Sequence, residues 1–225
     1  KYRFPNLEES ISTDVTIVGG GITGICSAFY LQQAGYDVVV IEQDEVGSAA
    51  TGASSGILYY GSGTNFLEAT KLFGKDRSAF LWNESKETMT LIENIIEKNN
   101  LESGFRKPGA VMVAKNDEER YLLEIEQKSL KNIGINTELY HNTDIKQFFR
   151  GREFIAGLHF PECSQIHPAI FSASLAHCFD LKIFENTKFM SVEEIKDETI
   201  LVKTPKASLR SKKLIFATKN QFLLD

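Results

Sequence analysis

Cysteine, proline and tryptophan are scarce in this chain: three, five and one among 225 residues. Cys26, Cys163 and Cys178 lie far apart, are odd in number and show no CxxC spacing, so neither a disulfide framework nor a zinc site is expected. A reducing cytoplasm suits them best. With 16 glycines beside the five prolines, the chain is neither collagenous nor of low complexity. Long apolar runs are also missing. The stretch Val38 to Ile41 is typical of those present, far short of the roughly 18 residues that cross a bilayer. Nor is there a basic excess: 25 Lys and Arg against 30 Asp and Glu give a formal charge of −5. Such a surface has no general attraction for phosphodiesters, so nucleic acid is not an expected partner. His141, His159, His167 and His177 show no ligand spacing, and no metal is expected. Lys1 to Ser12 lacks the apolar core of a signal peptide and starts without Met, which is compatible with a trimmed or incomplete amino end.

The hydrophobic share of 42% and charged share of 24% are those of a globular protein, and the length allows one large domain or two modest ones. Asp14 to Val18 reads as a strand, followed at once by Gly19, Gly20, Gly21 and Gly24. From Ile22 the apolar residues Ile25, Ala28, Phe29 and Leu31 recur near helical spacing up to Gly35, and Asp37 to Ile41 reads as a second strand. This is a βαβ unit, whose two strands should be parallel neighbours joined by a right-handed crossover. Gly47 to Gly56 is built of small residues and reads as a loop that approaches something closely.

Asp76 to Asn99 carries the stripe of an amphipathic helix. Pro108-Gly109 turns into a strand ending near Ala114, and Asn116 with Glu119 starts a helix reaching about Asn132. Phe154 to Phe160 reads as a strand. His167-Pro168 opens a helix to about Phe179, since proline suits the first helical position. Lys182 to Phe184, Lys188 to Glu194, Thr199 to Thr204 and Lys213 to Ala217 read as short strands, the middle ones with hairpin spacing.

Gly19-x-Gly21-x-x-Gly24 stands where a dinucleotide fingerprint must stand, directly after a strand and at a helix start. The first glycine makes the tight turn, the second lets backbone approach a pyrophosphate, and the third lets the helix pack closely. The helix amino terminus, opened by Ile22 and Thr23, favours the anionic phosphates. Glu42 ends the second strand, placed to accept hydrogen bonds from an adenosine ribose 2′-hydroxyl. That carboxylate argues against a 2′-phosphate and hence against NADP. The fingerprint alone does not separate FAD from NAD.

The chain resembles the FAD-dependent oxidoreductases of the D-amino-acid oxidase superfamily, such as glycine oxidase and sarcosine oxidase. The likeness lies in Val15-Thr16-Ile17-Val18-Gly19-Gly20-Gly21-Ile22-Thr23-Gly24, Val38-Val39-Val40-Ile41-Glu42 and Gly52-Ala53-Ser54-Ser55-Gly56. It continues through Gly157-Leu158-His159-Phe160-Pro161 and His167-Pro168, then Phe184-Glu185-Asn186-Thr187-Lys188-Phe189, then Lys213-Leu214-Ile215-Phe216-Ala217-Thr218. The resemblance implies an α/β fold: a Rossmann-like FAD-binding domain with a parallel sheet and an inserted α+β substrate domain. The expected division is 1–100 and 161–225 for FAD and 101–160 for the insertion. It further implies that FAD meets Gln43 beside Glu42, the loop residues Thr51, Ala53, Ser54, Gly56, Ile57 and Leu58, the backbone of Phe189, and Ala217 with Thr218.

The implied reaction is oxidation of an amine or amino acid by hydride transfer to flavin N5, giving an imine. A hydroxy-acid or glycerol-phosphate dehydrogenase on the same scaffold, and a noncatalytic dinucleotide-binding subunit, are the alternatives. No catalytic residue is assigned. Tyr59, Tyr60 and Arg106 read better as packed or surface residues than as substrate contacts, and His167 as a helix start rather than a base. Family members continue past the Ala217-Thr218 landmark into the segment holding the substrate carboxylate, so a fragment is expected here. These 225 residues alone should then bind FAD weakly or not at all, tend to associate into homo-oligomers through an open sheet, and not oxidise amines.

Overall fold

The computed structural model describes residues 2–61, 63–141, 144–147, 149, 153–195 and 199–218. In chain order its elements are β1 (Ile11–Ser12), β2 (Val15–Val18), α1 (Ile22–Gln33), β3 (Val38–Ile41), β4 (Ile57–Leu58), α2 (Phe66–Phe73) and α3 (Lys75–Asn99). Then come β5 (Ala110–Ala114), α4 (Asp117–Lys131), β6 (Glu138–His141), a 3-10 turn (Asp144–Gln147), β7 (Ala156–Phe160), β8 (Ser164–Gln165) and α5 (Pro168–Cys178). The last are β9 (Lys182–Phe184), β10 (Ser191–Ile195), β11 (Thr199–Lys203), β12 (Ser208–Ser211) and β13 (Lys213–Phe216). The chain forms two compact units. The first is Lys1–Ser55, Asn99–Gly104 and His167–Asp225, and the second is Gly56–Lys98 and Phe105–Ile166.

In the first unit β13-β2-β3-β9 form a wholly parallel sheet. Val15 to Val18 pair with Val38 to Ile41, and all eight residues are buried, which is why both strands read as unbroken β-branched runs. Helix α1 buries Gly24, Ile25, Ala28 and Phe29, and Gly35 follows its end with φ +88. The ring of Phe29 meets Phe179 edge-on at 4.7 Å. A second sheet, β1-β12-β11-β10, contains the expected hairpin between β10 and β11. The core of this unit joins Leu7, Val18, Val39 and Ile41 to Val202 and Leu209. His167 caps α5, its Nδ1 accepting from the Ile170 N–H, with Pro168 at the first helical position.

In the second unit β7 lies between β5 and β6, antiparallel to both. Leu158 stands opposite Met112 on one side and Leu139 on the other. This face belongs to a core shared with Phe66 of α2, Trp82 and Met89 of α3, and Leu123 and Leu130 of α4. The boundaries of the units therefore follow packing rather than the divisions expected at 100 and 160: α2 and α3 bury their large side chains in the core of β5, β6 and β7. Asn116 caps α4 by accepting from the Glu119 N–H, and Glu119 accepts in return from the Lys115 N–H. The same Asn-x-x-Glu pattern starts α2, where Asn65 accepts from the Glu68 N–H at 2.8 Å, although no helix was expected there.

Glu126 of α4 is 3% exposed, and its two carboxylate oxygens accept from the N–H groups of Phe66 and Leu67 at 2.7 and 2.9 Å. Burial raises its pKa above the ordinary carboxylate value, with the two hydrogen bonds acting against the rise. For a carboxyl raised on folding, the associated stability is complete below the unfolded pKa, roughly 4.3. It is lost as pH rises through the folded value. The stability advantage of the parent over Glu126→Gln should therefore shrink as pH rises from roughly 4.3 upward. Thermal melts of both proteins over that range check this, and parallel curves would show that Glu126 titrates normally.

Candidate dinucleotide site

The glycine turn follows β2 and leads into α1, as parallel-sheet ligand sites require. Gly19 has φ +113, and a side chain there would come within 2.8 Å of the Ala217 carbonyl oxygen at the end of β13. A Cβ on Gly24 would lie 1.9 Å from the Gly19 carbonyl oxygen, so close packing of helix on turn depends on its absence. Gly21 is the helix N-cap and has no side chain to cap with. Its neighbour Thr51 supplies the cap instead, its hydroxyl accepting from the Ile22 N–H at 3.0 Å. That hydroxyl would also be the nearest contact, at 3.0 Å, of a side chain on Gly21.

Glu42, partly exposed at the end of β3, reaches back to the turn. Its Oε2 accepts from the Gly20 N–H at 2.6 Å and its Oε1 from the Asp44 N–H at 3.0 Å. An ionised carboxylate has about four acceptor positions, so two are left for a diol. A Cβ on Gly20 would stand 2.9 Å from the Glu42 Cβ. Gly20, unassigned within the fingerprint, is thus the residue that admits Glu42. Gln43 is exposed and its amide donates to Asp44.

The small-residue loop folds tightly. The Gly47 N–H donates to the Gly20 carbonyl, the Ala53 N–H to the Ala49 carbonyl, and a Cβ on Gly52 would lie 2.6 Å from the Gly47 oxygen. This brings Thr51 to the turn and leaves Ala53 and Ser54 exposed. Gly56, Ile57 and Leu58 fall in the second unit, where β4 pairs with β8 and Ile57 is 58% exposed. The Phe189 ring meets Phe216 edge-on at 5.2 Å, so its side chain packs against the core. Ala217 donates its N–H to the Val18 carbonyl, which sets Ala217 and Thr218 beside Gly19. The structure therefore gathers Gly19, Gly21, Ile22, Gly24, Glu42, Thr51, Ala217 and Thr218 about one turn, with Thr23 exposed in the first turn of α1.

The residues set aside earlier occupy ordinary places. Tyr60 is 1% exposed and donates to Glu162 at 2.8 Å, and burial foremost raises its pKa, with the Glu162 bond adding to the rise. Arg106 is exposed and donates to Gln165.

A family model described as FAD dependent oxidoreductase matches residues 14–222. A probable oxidoreductase, OrdL, of Haemophilus influenzae is 32% identical over 221 residues, covering 96% of this chain and 51% of its own. Gamma-glutamylputrescine oxidoreductase of Escherichia coli is 30% identical over 228 residues, covering 100% of this chain and 53% of its own. The solved FAD-bound L-alpha-glycerophosphate oxidase of Mycoplasma pneumoniae superposes with a TM-score of 0.73 at 25% identity, covering 90% of this chain and 53% of its own. Glycine oxidase of Geobacillus kaustophilus has the same fold, with a TM-score of 0.72 at 21% identity, covering 92% and 55%. The chain spans about half the length of the curated relatives it matches.

Proposed function

This chain belongs to the family of FAD dependent oxidoreductases, and from that premise we propose that its first unit holds FAD in an enzyme that oxidises an amine or amino acid. The observation that carries the reading is the Glu42 carboxylate, fixed against the glycine turn by the Gly20 N–H with acceptor positions to spare for a ribose. The turn fits the cofactor as well, since Gly19 and Gly24 leave no space a side chain could fill and Gly21 opens α1 without one. Gly21 and the start of α1 bind the pyrophosphate, Thr51 keeps the loop against that helix, and Ala217 and Thr218 border the turn from β13. Ala53, Ser54 and the Phe189 backbone complete the cofactor contacts of this unit.

When bound, the flavin supplies an acceptor for a hydride, taken at N5 from the carbon bearing nitrogen, which leaves an imine. Support for an amine substrate comes from the names of relatives, gamma-glutamylputrescine oxidoreductase and glycine oxidase. Glu42→Ala is expected to weaken FAD binding by about 1.5–3 kcal/mol, or roughly 10- to 150-fold, because it removes a charge-assisted hydrogen bond to the ribose. Titration of apoprotein with FAD measures it, and equal affinity would separate Glu42 from the ribose. Flavin reduction by gamma-glutamylputrescine, glycine and glycerol 3-phosphate, compared anaerobically in the protein expressed from its full coding sequence, tests the substrate class. Reduction by glycerol 3-phosphate alone would overturn the amine reading.

A further inference from the structure

The end of β9 and the residues that follow it, 184–187, make contacts the dinucleotide site does not itself require. The Glu42 N–H donates to the Phe184 carbonyl at 2.9 Å, and the Glu42 carbonyl accepts from the Thr187 N–H at 2.7 Å. Both backbone groups of residue 42 are therefore held by this one segment. The hold continues along the turn that follows β3. The Asn186 N–H donates to the Asp44 carbonyl at 3.0 Å, and Glu185 Oε1 accepts from the Val46 N–H at 2.7 Å. Residues 42, 44 and 46 are thus each bonded to residues between 184 and 187.

The same segment grips the amino-terminal leader from its other side. The Glu185 N–H donates to the Pro5 carbonyl at 2.9 Å, Glu185 Oε2 accepts from the Phe4 N–H at 3.1 Å, and the Thr187 hydroxyl accepts from the Leu7 N–H at 3.2 Å. Glu185, Thr187 and Leu7 are each 3% exposed, so the bond between Leu7 and Thr187 is shielded from water. Arg3 of the leader also forms an ion pair with Glu45 of the turn. A carboxylate suits this place because its two oxygens serve two amide donors from separate segments. A glutamine would set an NH2 group against one of them.

We propose that Glu185 and Thr187 are positioning residues for ribose recognition, clamping the leader and the turn after β3 so that the Glu42 carboxylate is held where the ribose meets it. This rests on the reading of Glu42 as the ribose carboxylate. A direct readout is the preference of the apoprotein for ADP over 2′-deoxy-ADP, which isolates the 2′-hydroxyl from the rest of the cofactor.

The parent should bind ADP about tenfold or more tighter than 2′-deoxy-ADP, and Glu42→Gln should reduce that preference toward one. Glu185→Gln and Thr187→Val should reduce it likewise while binding 2′-deoxy-ADP within about threefold of the parent. Thr187→Ser, which keeps the hydroxyl, should restore it. Thr187→Val keeps the branched shape and serves if Glu185→Gln fails to fold. A parent without preference, or a Glu42→Gln protein that keeps it, overturns the ribose reading and this inference with it. A parent that discriminates through Glu42 while Glu185→Gln and Thr187→Val discriminate equally well overturns the clamp alone. Equal weakening of ADP and 2′-deoxy-ADP in those variants also overturns it, since that is the mark of a general structural role.

Discussion

Gly24→Ala is expected to lower the melting temperature by roughly 4–8 °C and to abolish retention of flavin. The added methyl would lie 1.9 Å from the Gly19 carbonyl oxygen and 3.1 Å from its carbon, and both are backbone atoms that cannot rotate away. Helix α1 and the turn must separate. Overpacking of this kind costs about 3 kcal/mol at the upper end of its usual range, and for a chain of this size each kcal/mol is worth roughly 2–4 °C. The substitution would otherwise help, because alanine exceeds glycine in helix propensity by about 1 kcal/mol. The separation also moves Gly19 and Gly21, so the pyrophosphate loses its seat. Gly35→Ala is the comparison: nothing lies within 4 Å of its Cβ, and only its φ of +88 opposes the change. Melting of the two apoproteins, and flavin absorbance after gel filtration of the variants expressed from the full coding sequence, check the expectation. A Gly24→Ala protein that melts with the parent and remains yellow would show that the helix does not press on the turn.

In the second unit the largest loss is expected from Trp82→Ala, about 3–5 kcal/mol. Trp82 is 2% exposed, meets the Phe66 ring edge-on at 5.3 Å, and belongs to the core containing Leu158 and Leu130. The turn at Gly61 lies directly on its ring. A Cβ there would fall 2.4 Å from the Trp82 ring, and the φ of +70 favours glycine as well. Truncation would therefore leave a cavity beneath a turn shaped to the lost ring. Trp82→Phe should fall between the variant and the parent. Urea unfolding followed by circular dichroism gives the difference, and a midpoint unchanged in Trp82→Ala would remove Trp82 from the core.

The sequence by itself determined the parallel βαβ unit, because strands buried on both faces must be apolar throughout and a glycine turn must join them to a helix. Val15 to Val18, Gly19 to Gly24 and Val38 to Ile41 satisfy that requirement locally. Caps were legible for the same reason: Asn116 with Glu119 and His167 with Pro168 act within one helical turn. Local signals also decided that Glu42 stands at the end of β3.

Only the tertiary structure decided what surrounds it. The Gly20 N–H that ties the Glu42 side chain, the Thr51 hydroxyl that caps α1, and the Glu185 carboxylate that joins Phe4 to Val46 all act between residues remote in the chain. No periodicity or motif encodes such pairs, since each depends on where the sheet places the ends of its strands. The assignment of α2 and α3 to the second unit has the same origin. An amphipathic stripe says that a helix buries one face, and only the position of Phe66, Trp82 and Met89 in the core of β5, β6 and β7 says against what.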